Sequence, residues 1–313
     1  PPEHSYIAGA SMGGHITGAT IEKWKEDYDG ALPVCGVMGD FELFDFFLDF
    51  NLAAQQIALG SSTFPVSPAY PVTTALDIKA SLELFPGAWP FALNSDGEAL
   101  KQLTELRSGG DRPNFDEAWF FWNAFPEFGS GIPGNFLFDL GATDGTLPGR
   151  RGVVVDNTDT VYQVDLDPAL SAFEEALNDD IVRVAADRDA RIKQGIKNVP
   201  QLTGKFHTPV LTMHNLGDLF VPFHNEVQYL KDVTANGDPD LLVQRAIRGV
   251  SHCGFTTAEY EAAFADLVAW AEDGIKPEGD VIGDPAAVAD PEYGCRFTDF
   301  ATPEGHLLAT PCP

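Results

Sequence analysis

Near its start the chain reads Tyr6-Ile7-Ala8-Gly9-Ala10-Ser11-Met12-Gly13-Gly14-His15, an apolar strand-like run that meets Gly-x-Ser-x-Gly, with a helix-like segment from Ile16 onward. Few patterns constrain a backbone more. It predicts a strand-to-helix turn so sharp that only small residues fit beside the serine. Gly9 and Gly13 are expected to remove side chains where strand and helix crowd each other. Ser11 would then stand on a strained bend with its hydroxyl exposed, and the Met12 N–H would point at a developing oxyanion.

A serine hydroxyl is a weak nucleophile at neutral pH. It needs a base within hydrogen-bond reach, and the base needs a third group to fix its tautomer. After a turn of this kind the partners follow in the order acid, then histidine. Strands are read at Ser5–Ala10, Ala31–Val37, Thr208–His214 and Leu241–Ile247, and Ser11, Asp218 and His252 each fall just after one of them. The stretch from Asp218 to His252 has room for one helix and one strand, as adjacent parallel strands require. Asp40, after the second strand, is the rival acid. His4, His15, His207, His214, His224 and His306 are possible bases by type, but of all seven histidines only His252 lies in the loop after the last strand. His15, just inside the elbow helix, is read as packing or lining the pocket.

Helices are expected at Ile16–Tyr28, around Phe41–Phe50, and at Thr73–Phe85, Ser95–Leu106, Asn114–Phe125, Leu170–Ala186, Asn225–Val233 and Thr257–Glu272. Ser95 with Glu98 reads as a capping box. Residues 152–167 read as strand or loop. Asp156, Asp159, Asp165 and Asp167 lack the spacing of a calcium loop and read as a solvated acidic face. The mostly helical stretch is too long for a loop.

The formal charge of −28, from 47 acidic against 19 basic residues, argues against nucleic acid or an anionic membrane as partner. The apolar runs fall short of the ~20 residues of a membrane span. Cys35, Cys253, Cys295 and Cys312 are an even set without metal-ligand spacing, so no metal or cofactor is expected. Two disulfides, in any of three pairings, would place the protein outside the cytoplasm, secreted or periplasmic.

GASMGG at the turn, HNLGDLFVP around the acid and GVSHCGF around the histidine together resemble the α/β-hydrolase superfamily, and the wider run from GVVVDNTDTVY through HNLGDLFVPF looks like an esterase-like secreted bacterial branch. The resemblance implies an α/β fold with a parallel sheet. Residues 1–39 and 205–276 would form its core, 40–204 a mostly helical cap insertion, and 277–313 an irregular tail. Ser11, Asp218 and His252 carry over as nucleophile, acid and base, and Met12 as an oxyanion donor. The substrate implied is a small ester, with an apolar or aromatic group suggested by the Phe- and Trp-rich insertion. An amidase or peptidase on the same scaffold, and a non-catalytic α/β-hydrolase-fold binding protein or inactive fragment, stay open. In the tannase and feruloyl-esterase branch a cysteine follows the histidine, as Cys253 does here, but Ala10 stands where that branch has its second cysteine.

In this superfamily Cys35 and Cys253 would both lie at the carboxyl edge of the sheet. That implies Cys35–Cys253, with Cys295–Cys312 closing a tail loop. The superfamily's elbow strand is central, whereas here residues 5–10 would have partners on one side only. A separate N-terminal segment of roughly a hundred residues or more, truncated or cleaved and still bound, is therefore expected to complete the sheet and supply the second oxyanion donor, the alternatives being an edge covered by the chain's own tail or by a symmetric partner.

Overall fold

The computed structural model describes residues 2–191, 200–302, 306 and 308–313. Residues 192–199 of the expected 40–204 insertion lie outside them. The chain divides into two compact units, one of Pro1–Asp40, Gly109–Ala118 and Gln194–Pro313, the other of Phe41–Ser108 and Trp119–Lys193.

The first unit is built on a parallel sheet of β1 (Tyr6–Ala10), β2 (Gly30–Val34), β3 (Val210–Asn215) and β4 (Leu242–Ile247), in that order. The helix α1 (Met12–Lys23) follows β1. After β3 comes α8 (His224–Asn236), and after β4 comes α9 (Thr257–Asp273). Strand alternation divides the core into two layers. Ala31, Val210 and Leu242 pack with Ala19, Ile21, Tyr229 and Val233 of α1 and α8. Their neighbours Leu32, Leu211 and Val243 pack with Ala263, Leu267 and Trp270 of α9. Period-two side chains on buried strands demand this two-sided cover. A Thr256–Glu259 capping box starts α9, and Gly274 ends it in the left-handed region.

Pro33 sits in β2 between two partner strands, a position that normally excludes proline. Ala31 N–H donates to Pro209 O and Cys35 N–H to Met213 O, so the rung between them is the one that Pro33 cannot supply. The strand tolerates its proline by leaving that rung out.

Several boundaries differ from the sequence reading. The first helix begins at Met12 rather than Ile16, because Ser11 O accepts from both Gly14 and His15 N–H. It ends at Lys23 rather than Tyr28. Gly13 does not relieve crowding, since a Cβ there would meet nothing within 4 Å. The crowded glycines are Gly9, whose Cβ would lie 2.3 Å from Gly13 O, and Gly14, whose Cβ would lie 2.7 Å from Gly36 Cα.

The tail is more than a surface strap. Ile282, Val288 and Tyr293 join the core beside Leu216, Phe223 and Ala246. Arg248, fully buried, donates to the carbonyls of Tyr293, Thr310, Pro311 and Pro291. A guanidinium with several donors in one plane suits a clasp on irregular backbone.

The second unit gathers round α2 (Glu42–Leu59), with α3 (Thr74–Leu82), α4 (Ser95–Ser108), α6 (Phe136–Gly141) and α7 (Ala172–Asp180) against it. Here α5 (Phe115–Ala124) contributes its residues from Trp119 onward. The acids of α2 are structural. Asp49 accepts from Arg107 Nε at 2.8 Å and Tyr162 OH at 2.6 Å, and Asp45 accepts from Asp156 N–H at 2.8 Å and pairs with Arg191. Asn94, not Ser95, caps α4, accepting from Asp96 and Gly97 N–H. Helix α7 stops at Asp180 because Asn157 takes the next backbone groups, Val182 O and Val184 N–H. Asp156, read as a solvated acid, accepts from Thr158 and Ala186 N–H and ties two loops together.

Candidate active site

Ser11 stands between β1 and α1 with φ 59° and ψ −123°, a backbone region that few side-chain-bearing residues adopt. Its N–H donates to Val34 O, which locks the bend to β2. Gly9 makes the turn possible by letting β1 touch the Gly13 carbonyl. Met12 occupies the first position of α1, where an N–H has no acceptor within its own helix.

The structure brings the three predicted residues together. His252 Nε2 lies 2.7 Å from Ser11 Oγ, and His252 Nδ1 lies 2.6 Å from Asp218 Oδ2. Asp218 is fully buried, and its Oδ1 accepts from Phe220 N–H at 2.9 Å and Val221 N–H at 3.0 Å. One oxygen is thus spent on the turn and the other is left for the histidine. The Phe220 ring meets His252 edge-on at 4.8 Å. With the serine hydroxyl donating to Nε2, Nδ1 carries the ring proton that Asp218 accepts. The tautomer follows from the partners.

The loop carrying His252 is tied down by a disulfide, Cys35–Cys253, with Cα atoms 5.3 Å apart. Both cysteines have positive φ, 44° and 55°. The second disulfide is Cys295–Cys312. Cys35, His252 and Cys253 cluster as metal-binding residue types do, but both sulfurs are spent in the bridge and neither can be the thiolate that binds a metal.

Asp40, the rival acid, is committed elsewhere. Its Oδ1 lies 2.8 Å from His15 Nε2 and its Oδ2 accepts from Leu202 N–H. Burial raises its carboxyl above the usual range, against the pull of the His15 hydrogen bond. His4 and His207 face Asp29 and Glu26 at 3.8 and 3.7 Å, and His306 pairs with Glu259 at 2.8 Å. His214, which the sequence offered only as one base among seven, lies directly behind Asp218 with its ring Nε2 3.8 Å from Oδ2. Its one sequence signal is its place at the end of a strand, four residues before the acid.

Sheet and array together define an α/β chain in which the first strand's turn, the acid after β3 and the histidine after β4 converge. No family model matches the chain, and no curated protein matches it. Among solved structures it is similar to feruloyl esterase B from Aspergillus oryzae, at 13% identity and TM-score 0.43. It is also similar to an esterase from Aspergillus oryzae (17%, TM-score 0.46) and to tannin acyl hydrolase from Aspergillus niger (14%, TM-score 0.38). Each match covers 88% of this chain, which spans 60%, 60% and 58% of the three in that order.

Proposed function

We propose that the chain is a serine hydrolase of the α/β-hydrolase class that cleaves a carboxylic ester through an acyl-enzyme. The observation that carries the reading is the hydrogen-bonded run from Ser11 Oγ through His252 to Asp218. In this reading Ser11 Oγ attacks the ester carbonyl while His252 Nε2 takes its proton. Asp218 holds the resulting imidazolium, and the Met12 N–H donates to the oxyanion. The proton then passes to the leaving alcohol. Water, deprotonated by the same histidine, frees the acid and restores Ser11. The chemistry calls on no cofactor.

The helical segment between β2 and β3 in the chain, residues 40–204, is proposed as the class's substrate-selecting cap insertion. Two disulfides suit an oxidising, extracytoplasmic setting. Among the described residues, no helix is long and apolar enough to cross a membrane. β1 pairs with β2 and, among the described residues, with no strand on its other side. We propose that a further strand, on an N-terminal segment joined to or cleaved from this chain, pairs there and brings the second oxyanion donor.

A fluorophosphonate probe with intact-mass readout tests the enzyme reading. One adduct on Ser11, absent in Ser11→Ala, is expected, together with turnover of aryl esters but not of anilides. Well-folded protein, with all its segments, that takes no adduct would overturn the reading.

A further inference from the structure

His214 is fully buried, as are Asp218 and, to within 1% exposure, Glu226. Both ring nitrogens of His214 face acceptors. Nε2 lies 2.6 Å from Val221 O and Nδ1 lies 3.2 Å from Glu226 Oε1. A carbonyl oxygen only accepts, so Nε2 carries a proton. Across the ring, Glu226 Oε2 accepts from Thr212 Oγ1 and Gln244 Nε2, each at 2.6 Å. A carboxylate at Glu226 requires the second ring proton at Nδ1. Burial, with nearby carboxyl groups adding to it, raises the hydroxyls of Tyr229 and Tyr293 above their ordinary range. Burial pulls the His214 imidazolium's proton affinity down, but the Glu226 hydrogen bond and charge, then the Asp218 charge and the Val221 carbonyl, outweigh it and raise the ring above its ordinary range.

The cation's place is what matters. His214 Nε2 stands 3.8 Å from the Asp218 oxygen that His252 Nδ1 engages. Its N–H also grips Val221 O, and Val221 N–H closes the turn on Asp218 Oδ1. We propose that His214 is a positioning residue for the acid of the array, a buried imidazolium, anchored by Glu226, that fixes the 218–221 turn and holds Asp218 toward His252. The proposal rests on the serine-hydrolase reading. It has an electrostatic consequence, because His252 works as a base only while its Nε2 is free of a second proton. A positive charge behind Asp218 opposes that second proton. Among the described residues, Asp218 and Ser11 face His252, with the Phe220 ring and the disulfide-bonded Cys253 sulfur beside them.

The active protein is compared with His214→Gln and Glu226→Gln. In Glu226→Gln the ring keeps its bond to Val221 O but accepts at Nδ1 and becomes neutral, so charge is removed while shape stays. The acid limb of kcat/KM for an aryl acetate should move to higher pH by roughly one pH unit in His214→Gln. Below the limb that is about a tenfold loss of rate. Glu226→Gln should move the limb the same way by less. Nitrogen-15 NMR of the ring should find His214 doubly protonated in the wild type at pH 7 and singly protonated in Glu226→Gln. A neutral His214 in the wild type overturns the proposal, and so does a limb that stays in place in both folded variants. If the wild-type protein itself takes no fluorophosphonate, the hydrolase reading fails instead. The two failures are distinct.

Discussion

Ser11 carries a backbone strain that its neighbours impose, since φ 59° with ψ −123° costs a residue with a Cβ about 1–3 kcal/mol. Glycine feels no such cost. Ser11→Gly should therefore be about 1 kcal/mol more stable than Ser11→Ala in denaturant melts, while neither turns over ester. A glycine variant no more stable than the alanine one would remove the strain argument. The choice of acid is also testable at this scale. Asp218→Asn should lower kcat about 10,000-fold, by leaving His252 without its acceptor. Asp40→Asn should stay within about tenfold, because Asp40 faces His15 and the Leu202 N–H instead. Rates in the opposite order would hand the role to Asp40. The meeting of Ser11 and His252 was legible in the sequence from residue type and place after a strand. His214 was not, because nothing local says that a strand-end histidine has a glutamate on one side and a carbonyl on the other.

At the scale of elements, the β1–α1 turn is held by close backbone contact. A methyl on Gly9 would lie 2.3 Å from Gly13 O and 2.8 Å from Thr17 Oγ1, and one on Gly14 2.7 Å from Gly36 Cα. Backbone cannot step aside as a flexible side chain does. Gly9→Ala and Gly14→Ala should each cost about 2–3 kcal/mol. Gly13→Ala meets open space inside α1 and should be neutral or gain about 0.5–1 kcal/mol from helix propensity. Equilibrium unfolding of the three variants decides, and a Gly13→Ala as damaging as the others would refute the packing account. The sequence motif marks Gly9 and Gly13 as equals because it records spacing. It is contact with Gly36, on a different segment, that makes Gly14 the second crowded position.

For the whole molecule, charge sets the pH response. Burial pushes the Asp45 carboxyl up to about 7 against the pull of Arg191, and it raises Asp49 and Asp40 as well. A carboxyl that holds its proton more tightly when folded favours the folded state at low pH. That contribution fades as pH rises from the unfolded value near ~3.9 through the folded one. His214, raised by its partners, contributes below its unfolded value near ~6.5, and that contribution is lost above its folded one. The formal charge of −28 adds self-repulsion in the same direction. Thermal midpoints should fall by several degrees from pH 5 to pH 8, with a flatter slope in Asp45→Asn. A midpoint that climbs with pH would contradict these shifts. The edge of β1 that no strand pairs with among the described residues gives a second test. Its residues are partly exposed where β2, β3 and β4 are wholly buried, and bare edges are normally paired or covered. Hydrogen exchange on hydrolytically active material should find the outward amides of Tyr6–Ala10 protected by a second polypeptide segment. Fast exchange there, in a monomer of these 313 residues that hydrolyses ester, would remove the proposed strand.

What the sequence determined by itself was local or periodic. The small residues around Ser11 dictate a tight turn, period-two apolar runs dictate buried strands, and chain order places an acid and a histidine after successive strands. Parallel strands in register then bring Ser11, Asp218 and His252 to one sheet edge. Other features depended on residues far apart in the chain. Arg248 meets the carbonyls of Tyr293 and Pro311 only once the tail has folded back. Asp45 and Asp49 become internal partners of Arg191, Arg107 and Tyr162 only when helices pack. The His214–Glu226 pair gains meaning only with Asp218 at 3.8 Å. Burial decides these cases, since a charged group removed from water must find its counter-charge or donor wherever the fold supplies one.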